Sequence, residues 1–198
     1  MTDPQTIAQL KAMRDFFVAR NAAELAAAYT YLADWVSQPA PAVTDWQAVE
    51  FGFNRLFVGP KAPLAPPFAS VYLEPEPQLM GQSTLHVRQI YQLVGLESPW
   101  KNVIPEDHIG FELDAYRQLR VAAQQVQSHE LHALLNYFLT RHLNIWLPRF
   151  ARRVKTAAAV PAAINFVVDC LAAWLTHELS TNRLSHVSLI EQYQEEKV

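Results

Sequence analysis

Apolar residues recur along this chain at helical spacing. Ile7, Leu10, Met13 and Phe17 follow Thr2-Asp3-Pro4, a start signal with a capping acid and a proline fit for a first turn. Leu25, Ala28, Tyr29, Leu32 and Val36 form a second stripe, closed by Pro39 and Pro41. Thr44 or Asp45 caps a third helix carrying Trp46, Val49, Phe53, Leu56 and Phe57. Ser83 or Thr84 opens another, with Leu85, Ile90, Tyr91 and Val94, and Gly95 ends it. A helix opening at Pro105 runs to about Gln127, placing Glu106 and Asp107 in its first turn. Ser128 caps the next, with Leu131, Leu134, Leu135, Phe138 and His142 on one stripe, and Pro148 is expected to kink or break it. A last long helix spans about Pro161 to Leu179, and the tail from about Ser185 is expected to pack loosely.

One stretch breaks the pattern. Pro60, Pro63, Pro66, Pro67, Pro75 and Pro77 exclude a helix between Gly59 and Pro77. Leu64, Phe68, Val71, Tyr72 and Leu73 are too apolar for a solvated linker, so the stretch reads as an ordered loop packed on the body. Residues 96–104, with Trp100, form a second loop. With five glycines and no alternating run, the chain reads as all-α: a single-domain helical bundle over residues 1–198 with a long proline-rich ordered loop.

Composition narrows the function. At 198 residues and 51% apolar, the chain builds its own core. A net charge of −3 argues against nucleic-acid or anionic-membrane binding. Cys170 is the single cysteine and forms no internal disulfide, and no leader-like or spanning apolar run appears, so a cytoplasmic setting is expected.

Charge is segregated. Seven acids (Glu74, Glu76, Glu97, Glu106, Asp107, Glu112 and Asp114) face only Arg88 and Lys101 between residues 74 and 114. From Leu131 to Val168 there is no acid, against Arg141, Arg149, Arg152, Arg153 and Lys155. The acidic, aromatic, proline-bearing middle suits a basic and partly apolar peptide. The basic cluster is either a solvated helix face or a surface for phosphate or an acidic partner.

Asp107-His108, with Glu112 one turn on, is a candidate acid/base pair, but no nucleophile elbow accompanies it. His129, His132 and His142 invite a metal reading, yet their spacing falls one residue short of His-Glu-x-x-His, so no metal is assigned. Glycine-rich nucleotide loops are absent.

Three blocks, in order and register, resemble a known family. Leu56-Phe57-Val58-Gly59-Pro60, Pro66-Pro67-Phe68-Ala69-Ser70-Val71-Tyr72 and Pro105-Glu106-Asp107-His108-Ile109-Gly110 look like the signature of the TorD/DmsD redox-enzyme maturation chaperones. His142-Leu143-x-x-Trp146-x-x-x-Phe150 resembles that family's later helix, and the resemblance covers roughly residues 44 to 155. It implies a cytoplasmic, non-enzymatic chaperone, monomer or homodimer. Such a chaperone binds the twin-arginine signal peptide, and the body, of the catalytic subunit of a dimethyl sulfoxide reductase-type molybdoenzyme. It assists cofactor insertion before export.

Carried over by position, the resemblance implies peptide contacts at Phe53, Leu56, Phe57, Pro67, Phe68, Asp107, His108 and Glu112. Phe53, Leu56, Phe57 and Phe68 would line an apolar groove. Asp107 would meet the arginine pair, with Glu106 and Glu112 as lesser candidates and His108 tuning or orienting it. Phe53, Phe68 and Lys61 stand where the dimethyl sulfoxide reductase chaperones tend to carry Trp; Phe keeps the apolar contact and loses the indole donor. No cofactor is assigned; guanine nucleotide is associated with the family and has no independent support in these residues. Two other classes compete: a small helical hydrolase using Asp107-His108, and a helical adaptor binding a folded partner through the Arg149 face.

Overall fold

The computed structural model describes residues 3–76, 81–93, 95 and 104–195, without the side chains of residue 93 and of 182–195. Among these residues the chain is all-α, as the periodicity predicts. Helix α1 spans Pro4–Phe17, with Asp3 accepting the Gln5 N–H as its cap. Helix α2 (Ala22–Ala33) is capped by Asn21, and α3 (Trp46–Phe53) by Asp45. Helix α4 (Ser70–Leu73) is one turn inside the proline-rich loop. Helices α5 (Gln82–Leu93), α6 (Ile109–Val126), α7 (His129–Phe138), α8 (Asn144–Thr156) and α9 (Ala162–Glu195) complete the described fold.

Two segments widen into π-helix: Asn54–Val58 after α3, and Leu139–Leu143 between α7 and α8. A π turn inserts a residue and rotates the side chains that follow, which is why such turns gather at functional positions. Here they turn Leu56 and Phe57, and His142 and Leu143, inward.

Helix α1 is central, packing on α2 and α6, while α7 lies on α6 and α8 on α9. Gly110, in the first turn of α6, permits the α1–α6 contact: a Cβ there would sit 2.5 Å from Val18 Cγ1. The neighbour for which this glycine leaves room is thus the end of α1. Under the proline-rich loop runs a chain of edge-to-face and tilted rings, with Phe53–Phe57 centroids 5.0 Å apart and Phe57–Phe150 5.7 Å. Tyr72 of α4 stacks on Trp146 at 5.7 Å and so fastens the loop to α8.

Four expectations need correction. Ser70–Leu73 is helical because Phe68 to Glu74 holds no proline. The helix expected from Pro105 begins at Ile109, since residues 107–109 pair with the loop backbone first. Pro148 lies inside α8 without breaking it, one turn past a π segment where the hydrogen-bond register is already changing. The last helix runs past Leu179 to Glu195, and the side chains of the tail from Ser185 lie outside the described residues. So do Trp100 and most of the second loop.

Candidate functional site

The proline-rich loop lies against the start of α6. Phe68 and His108 form an antiparallel bridge. The Ala69 N–H donates to the Asp107 carbonyl at 3.0 Å, and the Ile109 N–H donates to the Pro67 carbonyl at 2.9 Å. The second and third sequence blocks therefore form one unit. The first block joins it through Ala65 N–H, which donates to the Leu56 carbonyl at 2.8 Å.

The side chains tighten this unit. Asp107 is fully buried (0% exposed). Its Oδ2 accepts the Ser70 N–H and its Oδ1 accepts the Thr84 hydroxyl, both at 2.8 Å. One carboxylate thus starts α4 and anchors α5. His108 caps α6, its Nδ1 accepting the Gly110 N–H at 3.1 Å. Burial lowers its pKa to about 4, so the ring is a neutral acceptor at pH 7. Phe68 meets that ring edge-on at 5.2 Å.

Glu112 is also fully buried (0% exposed). Oε1 pairs with His142 Nε2 at 2.7 Å and Oε2 accepts the Trp146 indole N–H at 2.8 Å. Burial raises the Glu112 pKa against the pull of His142 and the indole. Burial lowers His142, and the charge and hydrogen bond of Glu112, with Asp107 behind, bring it above the usual histidine value. The pair holds a proton between α6 and the second π segment in water-poor surroundings.

Glu106 differs from its neighbours. It is buried, but one of the groups it meets is partly exposed: Arg88 of α5 donates Nε and Nη2 to its two oxygens at 2.8 and 2.9 Å. Arg149 and Arg153 of α8 hold the loop from the other direction, donating to the carbonyls of Tyr72 at 2.7 Å and Leu64 at 2.6 Å.

The residues singled out from sequence are thus brought together, but most face inward. Phe53 and Phe57 are 3% exposed and Leu56 is 0%. They form the floor beneath the loop and do not line an open groove. Pro67 is buried and Phe68 is partly exposed. Asp107 and Glu112 are not open to a cation, because their oxygens are engaged by Ser70, Thr84, His142 and Trp146. His108 does not orient Asp107; the two diverge to separate partners, which leaves the hydrolytic dyad without its hydrogen bond.

The open acidic surface is smaller than the sequence suggests. Glu74 accepts the Ser83 N–H, Glu106 holds Arg88, and Asp114 pairs with Arg117. The basic α8 face is in part a clamp on the loop. His129 and His132 are exposed while His142 is buried against Glu112, and among the described residues no three metal-ligating side chains converge. His129 and His132 border a separate cavity of about 690 Å³ between α6, α7 and α9.

Sequence reasoning missed Thr84 and Arg88 as partners of Asp107 and Glu106. Their four-residue spacing puts them on one face of α5, opposite two consecutive acids. It also placed His142 in an apolar stripe, although His142 and Trp146 both carry a polar edge at that same spacing.

An all-helical body with a proline-bearing loop strapped across a helix start is the architecture these contacts define. Residues 18–152 match the family described as nitrate reductase delta subunit, and the chain belongs to that family. Tat proofreading chaperone DmsD of Salmonella typhi is 39% identical over 98 residues, covering 50% of this chain and 45% of that protein. Chaperone protein TorD of Vibrio cholerae serotype O1 is 32% identical over 105 residues, covering 51% and 47%. The matches thus span about half the length of these curated relatives. A redox enzyme maturation protein from Archaeoglobus fulgidus has the same fold, with a TM-score of 0.61 at 19% identity over 89% of this chain and 94% of that one. No helix among the described residues is long and apolar enough to cross a membrane.

Proposed function

We propose that this protein is a cytoplasmic maturation chaperone that binds the twin-arginine signal peptide of a dimethyl sulfoxide reductase-type molybdoenzyme. In this role it also contacts the enzyme body and holds back export while the cofactor is inserted. It performs no catalysis of its own.

The observation that carries the reading is the seating of the proline-rich loop on the helix start. Blocks separated by some 40 residues of sequence, which resemble the chaperones jointly, meet through the Phe68–His108 bridge and the Asp107 carboxylate. The relatives named as Tat proofreading chaperone and chaperone support the class.

The burial of the carried-over residues refines how they act. Phe68, partly exposed, presents the loop edge to the peptide's apolar part, with Pro67 buried behind it. Phe53, Leu56, Phe57, Asp107, His108 and Glu112 fix that edge from beneath. Calorimetry of the whole protein with a synthetic twin-arginine signal peptide tests this. Saturable binding that Phe68→Ala weakens, with the melting temperature little changed, is expected. Absence of binding to any twin-arginine precursor from the native host overturns the function.

A further inference from the structure

We propose that Arg149, Arg152 and Arg153 of α8 form a docking site for an acidic segment of the enzyme body, and that two of them join that segment to the proline-rich loop. This rests on the reading of the protein as a chaperone that contacts the enzyme body, and it names the surface and the chemistry of that contact.

The three residues are exposed neighbours on α8, at positions i, i+3 and i+4. No acid occurs from Leu131 to Val168, and among the described residues no carboxylate pairs with any of the three. Lys155, further along the helix, already holds Asp169 of α9. The uncompensated charge of this face therefore belongs to the arginines.

Two of them are only half used. Arg149 gives Nη1 to the Tyr72 carbonyl, which leaves the edge made by Nε and Nη2. Arg153 gives Nε to the Leu64 carbonyl, which leaves the edge made by Nη1 and Nη2. Each remaining edge is a pair of parallel N–H groups, the form that grips a carboxylate with two bonds. A neutral carbonyl places each guanidinium without neutralising it, so the charge stays available. Arg153 is also set over the Tyr72 ring, 5.9 Å from its centroid, and so loses less freedom when an acid docks.

The inward and outward donors belong to one rigid planar group. An acid that holds the outer edge thus fixes the inner hydrogen bond as well. Arg149 and Arg153 grip the loop at Tyr72 and Leu64, on either side of Phe68. Docking therefore stiffens the segment that carries Phe68. By reciprocity, a signal peptide seated on Phe68 favours docking of the enzyme body.

The test uses the full chain at low salt, where exposed charges are least screened. The probe is tetraglutamate, acetylated and amidated at its ends, with tetraglutamine and inorganic pyrophosphate for comparison. Calorimetry should show binding of tetraglutamate that tetraglutamine does not match. Arg152→Gln, which removes no internal contact, should weaken it roughly threefold with the melting temperature unchanged. Amide exchange across residues 64–73 should slow when tetraglutamate binds. Absence of binding, or binding that Arg152→Gln leaves intact, overturns the docking site. Unchanged or faster exchange overturns the link to the loop. Tighter binding of pyrophosphate than of tetraglutamate overturns the acidic segment as occupant. These measurements need no signal peptide, so a signal peptide that fails to bind while tetraglutamate still does overturns the peptide-binding function and supports the docking surface.

Discussion

Replacing Asp107 with alanine distinguishes an anchor from a ligand contact. In the structure its carboxylate lies wholly inside and receives two donors, the Ser70 N–H and the Thr84 hydroxyl, at 2.8 Å each. Alanine leaves both donors buried and unpaired, at about 1–3 kcal/mol apiece. The unfolding free energy should therefore fall by about 2–6 kcal/mol, a large share of a domain's total. Asparagine keeps one acceptor and turns its amide nitrogen toward the other donor, so Asp107→Asn should lose less than Asp107→Ala.

Urea unfolding of wild type, Asp107→Ala, Thr84→Val and the double variant measures this directly. Because the hydroxyl has no acceptor once Asp107 is gone, Thr84→Val should cost at least about 1 kcal/mol less in the Asp107→Ala background than in wild type. A loss under about 0.5 kcal/mol for Asp107→Ala, or additive behaviour of the pair, refutes the anchor. An unaltered stability combined with lost peptide affinity would show instead that the carboxylate meets the ligand directly.

Other consequences follow from the same contacts. Gly110→Ala forces a methyl to within 2.5 Å of Val18 Cγ1 and should destabilise by about 1–3 kcal/mol, with Val18→Ala restoring much of it in thermal melts. His108 is lowered from 6.5 to about 4, so the unfolded chain takes the proton more readily. The stability it contributes is present above its unfolded value and is lost as pH falls through the folded one, by up to about 3 kcal/mol. His108→Asn keeps an acceptor for the Gly110 N–H, and its urea-unfolding free energy should fall less between those pH values than that of wild type. Removing the guanidinium of Arg149 or Arg153 frees a loop carbonyl, and amide exchange across residues 64–73 should quicken roughly fivefold per arginine, with the α1 amides unchanged.

Much of the fold was legible because its start signals are local. Asp3-Pro4, Asp45 and Ser128 cap helices where their residue types require, and the apolar spacing between them names the buried faces. What was not legible depended on partners distant in sequence. Pro105 has the form of a helix start, yet the helix waits until Ile109 because the backbone of residues 107–109 pairs with the loop at residues 67–69. The π turns have no local signature; they accommodate Phe57 and His142 in a core that neighbouring helices define.

The site was legible in place but not in role. A run of acids at a helix mouth has the same sequence whether its carboxylates face solvent or the interior. The difference lies in the opposing surface, where Ser70, Thr84, Arg88, His142 and Trp146 supply a donor for each of these buried oxygens. Burial of a carboxylate costs several kcal/mol unless donors meet it, so the number of acids in a stretch is no measure of its surface charge. Here that rule converts an apparently open acidic surface into an internal brace. Glu106 follows the same rule, its side chain 5% exposed and its carboxylate met by the guanidinium of Arg88.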